Sequence, residues 1–249
     1  FGTAISVKET RGFVVANNQA HYSEPLFSPS STTVSFQGSA IEIVNSLEGT
    51  VSGNEVAFAG QGIDIGGDSG HGSRSVSVTG NSVTDSYIAG IKLVNGASFS
   101  TVSGNTVVRS GLVGIWVVPG NTAAEDQSVV QGNVITGNQV RDTGSGPGYG
   151  AWGENPVGIA IERATSEGSR PINNSITSNV VTDAGGQMRV GVTDRGVTHR
   201  GYEEHCTGAN VCLLSTQNLF ATNLVAGGVE SAFDFQSPTN WTNGNVSQA

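Results

Sequence analysis

The chain has 249 residues, only 12% of them charged, and a formal net charge of −9. That balance disfavours nucleic acid and anionic membranes as partners, since both would repel the protein at long range. No apolar run is long enough to cross a bilayer as a helix, and the length allows one domain, taken as 1–249, to bury a sizeable core.

Taken in chain order, the elements are short strands. Ala4-Ile5-Ser6-Val7 alternates apolar and polar residues, so the chain is expected to begin inside a repeating unit. The N-terminal cap is then expected from an upstream segment or a partner chain. No signal peptide is visible, which suits a mature form or a fragment. Phe13 to Ala20 forms an early unit with a bend at Asn18, followed by a polar insertion from His21 to Ser39 and a strand at Ala40-Ile41-Glu42-Ile43. A repeat then sets in. Gly53-Asn54, Gly80-Asn81 and Gly104-Asn105 are each followed by a Gly-Ile strand, at Gly62-Ile63, Gly90-Ile91 and Gly114-Ile115. Gly132-Asn133 (with Asn138 close behind), Ser178-Asn179, Thr222-Asn223 and Gly244-Asn245 continue the first element, and Gly158-Ile159 and Ala232-Phe233 the second. Long irregular stretches interrupt the C-terminal half at Arg141–Pro156, Arg163–Pro171 and Thr193–Thr216.

Positions 54, 81 and 105 lie 27 and then 24 residues apart. A period in the twenties with alternating apolar residues signals a solenoid of short parallel strands, whose coils share one core. Inward positions are Ile63 and Ile65, Ile91 and Leu93, Ile115 and Val117, Ile159 and Ile161, and Phe233 and Phe235. The asparagines are expected at sharp bends, in the left-handed conformation that Asn tolerates, with amides bonded from coil to coil. Val94 and Val118 are expected outward and exposed, a hint of assembly.

This repeat resembles the right-handed parallel β-helix superfamily, the pectate-lyase-like solenoids, over nearly the whole chain. The resemblance implies an all-β fold and an extracellular or periplasmic protein acting on polysaccharide or oligosaccharide, as a lyase or glycoside hydrolase. Its cleft would lie on the outer sheet face, walled by loops. The same fold serves spike shafts and adhesins, so the alternative is a non-catalytic structural or surface carbohydrate-binding solenoid, including a homotrimer. Gly70-His71-Gly72 resembles the G-H-G of polygalacturonase-type hydrolases, but their N-T-D, D-D and R-I-K motifs are missing, as is the Y-G-F-D-P-H of alginate epimerases.

Two groups of residues carry the expected chemistry. Asp194, Arg195, His199, Tyr202, Glu203 and His205 crowd one loop, combining proton-transfer groups with a cation, and are the candidate catalytic set. Trp116, Tyr149, Trp152, Glu162, Arg189 and Asp234 are the candidate substrate contacts, the aromatic rings serving as platforms for sugar faces. Outward positions of the Gly-Ile strands add Glu42, Asp64 and Lys92, a row of carboxylates beside an amine, with coils about 4.8 Å apart. Cys206 and Cys212 are the only cysteines and are expected to close a small disulfide. No cofactor is required by these residues; Ca2+ is the one candidate, as a bridge to an anionic polymer.

Overall fold

The computed structural model describes residues 3–22, 38–68, 71–119, 129–146, 155–162, 170–194, 217–235 and 237–248. Each coil contributes one strand to each of three long sheets. The first sheet stacks Ile5–Lys8, Ser39–Val44, Gln61–Asp68, Ala89–Val94, Val113–Val118, Val157–Ile161, Val190–Thr193 and Ser231–Asp234. The second runs from Val14–Ala16 through Thr101–Ser103 to Trp241–Asn243, and the third from Gln19–His21 through Thr106–Val108 to Val246–Gln248. Neighbouring strands within these stacks are parallel, and Gln61–Asp68 also pairs antiparallel with His71–Gly72. Among the described residues no helix is long and apolar enough to cross a membrane.

In-register stacking turns the sequence alternation into columns. Val51, Val78, Val102, Ile135, Ile176 and Phe220 align in the second sheet, and each is fully buried. The Gly-Ile strands supply the facing column, with Ile63, Ile65, Ile91, Leu93, Ile115, Val117, Ile159 and Ile161 at 0% exposure, as the alternation predicts. Each such side chain contributes about 1.5–3 kcal/mol by leaving water. Phe233 and Phe235 face the same core but are only partly buried.

Two features differ from expectation. The left-handed residue at each bend is the one before the ladder asparagine, not the asparagine itself. Gly80 (φ 63°), Gly104 (φ 62°), Ser178 (φ 55°) and Thr222 (φ 54°) take that conformation. The asparagine that follows turns its amide inward instead. Secondly, Gly62, Gly90, Gly114, Gly158 and Gly191 interrupt the alternation. A Cβ on Gly114 would lie 2.3 Å from Val140 Cγ1 and 2.5 Å from the Gly158 carbonyl oxygen. These glycines therefore point into the core, and the residue before each of them is pushed to the outer face.

The inward amides form a ladder. Seven Nδ2-to-Oδ1 hydrogen bonds link Asn18, Asn54, Asn81, Asn105, Asn138, Asn179, Asn223 and Asn245 in succession. Asn105 is typical: its Nδ2 donates to Asn138 Oδ1 (3.0 Å) and Val78 O (2.9 Å), and its Oδ1 accepts from Asn81 N and Nδ2 (both 2.9 Å). Asn133, which resembles this series in sequence, belongs to a second ladder with Asn174, Asn218 and Asn240.

Candidate functional site: the outer face of the first sheet

The outer face of the first sheet is a register-aligned row, Ser6–Glu42–Asp64–Lys92–Trp116–Ala160–Thr193–Asp234. Beside it runs a second row, Ser39–Gln61–Ala89–Val113–Val157–Val190–Ser231. Both point away from the core because Gly62 and its equivalents face in. The two rows change character along the axis.

The early coils carry charge. Lys92 Nζ lies 3.8 Å from Asp64 Oδ2 and 5.9 Å from the centre of the Trp116 ring. Ser39 Oγ donates to Asp64 Oδ2 (3.4 Å), and Ser6 Oγ donates to Glu42 Oε2 (3.2 Å). The row is less exposed than the sequence suggests: the Asp64 and Lys92 side chains each keep 13% of their surface, and Glu42 31%. Burial pushes the Asp64 carboxyl above the ordinary carboxylate range; Lys92 pulls it back, Glu42 raises it further, and the Ser39 hydrogen bond lowers it. The result is a carboxyl that holds its proton to higher pH beside an ammonium and a second carboxylate. That combination suits proton transfer.

Later coils turn the same face apolar. Tyr87, Ile88, Ala89, Leu112, Val113, Trp116, Val118, Val157 and Ala160 form a buried cluster, separate from the core. Val94 (6%) and Val118 (1%) belong here, so the expectation that they are exposed does not hold. Trp116 lies on the outer face as expected, but at 5% exposure its ring offers no open platform; its indole N–H donates to Glu162 Oε2 (3.2 Å). Glu162 is itself buried.

The remaining described candidates are structurally engaged. Asp194 is fully buried, and its Oδ2 accepts from Ser237 N (3.1 Å) and Asn240 Nδ2 (2.8 Å), so it terminates the second asparagine ladder. Arg189 makes a two-point pair with Glu230 (2.8 and 3.2 Å). The Asp234 carbonyl accepts from Thr193 Oγ1 (2.7 Å). Arg195, His199, Tyr202, Glu203, His205, Tyr149, Trp152, Cys206 and Cys212 lie outside the described residues. Gln61, Ser39 and Thr193 were not among the sequence candidates. Gln61 was hidden because simple alternation from Ile63 and Ile65 points it inward; Gly62 reverses it. The oxygens here are of a kind Ca2+ accepts, but the ammonium of Lys92 already faces Asp64, so a cation does not fit this patch.

The sequence matches the right-handed β-helix region family over residues 3–193, and the chain belongs to that family. Curated protein sequences give no match. Among solved structures, the mannuronan C-5 epimerase AlgE6 A-module of Azotobacter vinelandii is similar at 14% identity and TM-score 0.56, covering 99% of this chain and 58% of that one. The alginate lyase of Paenibacillus sp. str. FPU-7 is similar at 15% identity and TM-score 0.52, covering 100% and 89%. The Dettilon tailspike protein gives 19% identity and TM-score 0.66, covering 96% and 40%. The chain spans about half the length of the AlgE6 A-module and of a periplasmic alginate epimerase AlgG it also matches at 14% identity and TM-score 0.60, 58% and 48%. At these identities the likeness establishes the fold.

Proposed function

We propose that this chain binds a polysaccharide at the early, charged coils of the first sheet's outer face and cleaves or rearranges it, outside the cell or in the periplasm. The observation that carries the reading is Asp64: a largely enclosed carboxyl whose pKa burial raises, 3.8 Å from the Lys92 amine and one rung from Glu42. Structural likeness to an alginate lyase and to alginate epimerases supports a carbohydrate-directed reading. In this reading Asp64 is the proton donor, with Glu42 or Lys92 as its partner. The loop residues Arg195, His199, Tyr202, Glu203 and His205 are proposed as further catalytic candidates. A cation does not fit the described residues of this patch, and chelation with EDTA is expected to leave turnover unchanged.

The test is a screen of neutral and uronic-acid polysaccharides, read both by absorbance at 235 nm and by reducing ends, with Asp64→Asn alongside the wild type. Turnover that disappears in the variant supports the reading. Wild-type binding without any product, unchanged in Asp64→Asn, would instead favour the adhesive reading that the tailspike likeness supports.

A further inference from the structure

The outer face of the second sheet carries no charge. Its two outward rows run in unbroken register, from Val14 to Trp241 and from Ala16 to Asn243. None of these positions holds an acidic or basic residue, in a protein of net charge −9. In the five central strands, Thr50–Ser52, Ser77–Thr79, Thr101–Ser103, Val134–Thr136 and Ser175–Thr177, nine of the ten outward positions are Ser or Thr, and the tenth is Val134. The matching strands of the third sheet have only four outward hydroxyls and include Glu55 and Arg141. A solvated surface ordinarily mixes charges of both signs, so solubility alone does not explain the hydroxyl face.

These hydroxyls are available to a partner. All nine residues are partly exposed, and among the described residues their only side-chain hydrogen bond joins Thr177 to Thr136 (3.2 Å). Gly80, Gly104 and Gly137 stand at the corner beside them, where an added Cβ would meet nothing, so the corner leaves the face open there. Stacking makes the array periodic in two directions, about 4.8 Å from coil to coil and about 6.6 Å between the two rows. Each hydroxyl both donates and accepts.

The occupant must therefore be uncharged, periodic on that scale, and able to donate and accept at every point. A second copy fails on two counts. Two chains of net charge −9 repel each other, and a face of about 40 Å by 10 Å is well below the ~800 Å² per partner of a stable protein interface. A sugar chain would find no ring, amide or carboxylate at the outward positions of the five central strands. Ordered water meets every condition: in ice each molecule donates two hydrogens and accepts two, and hexagonal ice repeats in the same range of spacings. We infer that the outer face of the second sheet is an ice-binding surface, on which the hydroxyls, and the methyl groups between them, hold a layer of water that joins the ice lattice. This surface lies on a different sheet from the proposed catalytic patch and does not depend on it.

The experiment grows ice slowly from a solution of the protein, measures the protein content of the ice fraction, and follows recrystallisation of fine ice under the microscope. The wild type should enter the ice and arrest grain growth. Thr101→Lys sets a long charged side chain at the centre of the array; it should be excluded from ice, with grain growth restored, while its Tm holds. Thr106→Lys, at an outward position of the third sheet in the same coil, should behave as wild type. If Thr101→Lys lowers Tm, Thr79→Lys reads the same face from the preceding coil. Exclusion of the wild type from ice, or uptake of a folded Thr101→Lys equal to that of wild type, overturns the inference. Binding of an ice-excluded wild type to insoluble cellulose or chitin, lost in Thr101→Lys, also overturns it and assigns the face to a polymer surface.

Discussion

The asparagine corner and the outer face of the first sheet are both lined with polar side chains, yet they are opposites. Along the interior of the corner the amides are saturated: Asn105 Nδ2 donates to Val78 O, Ser103 O and Asn138 Oδ1, and its Oδ1 accepts from Asn81 N and Nδ2. On the outer face, Gln61 Oε1 and Asp64 Oδ1 are buried without a partner among the described residues, and burial raises the Asp64 pKa. A saturated polar column stabilises, because no ligand can improve it. An unsaturated one costs stability.

The largest effect that would sharpen this contrast is catalytic. Asp64→Asn should lower kcat about 10²- to 10⁴-fold, the range of a lost general acid, with the fold kept. At the corner the readout is stability instead. Asn105→Ala strands the Asn81 amide and backbone N–H and should cost about 3 kcal/mol in denaturant unfolding, whereas Asn245→Ala, at the half-exposed last rung, should cost about 1 kcal/mol. Equal losses at the two rungs would break the view that burial gives the ladder its value. Gly114→Ala should cost about 1–3 kcal/mol, because its methyl meets Val140 and the Gly158 carbonyl with little room to shift.

A smaller effect concerns pH. Asp64 has its pKa raised in the fold, so the folded state holds the proton longer than the unfolded chain. The stability this contributes is complete below the unfolded value of about 3.9 and is lost as pH rises through the folded value. The Tm difference between Asp64→Asn and wild type should therefore shift in the variant's favour as pH rises from about 4. A gap independent of pH would place Asp64 in solvent-like surroundings.

Much of this architecture is legible in the residues. The recurrence of Asn54, Asn81 and Asn105 and the alternation of Ile63 with Ile65 follow from backbone periodicity, which a sequence displays directly. Glu42, Asp64 and Lys92 were legible as one row for the same reason. Their enclosure was not, since it depends on what packs over the face. Gln61 escaped notice because a glycine without a side chain can reverse the facing of its neighbour. Asn133 and Asn138 look interchangeable in sequence but serve different corners, distinguished only by register. Asp194 reads as a free acid in its charged loop, yet it receives the end of a hydrogen-bonded column, a contact made across 46 residues to Asn240.

The asparagine column has an electrical consequence. Every amide hands its hydrogen toward the C-terminal neighbour and turns its oxygen toward the N-terminal one, from Asn18 to Asn245. Sheet backbones contribute little net moment, but these side-chain dipoles add head to tail, as peptide units do in a helix. The solenoid is thereby a polarised rod, positive toward Asn245 and negative toward Asn18, and a charged chain lying along it would experience different fields at its two ends.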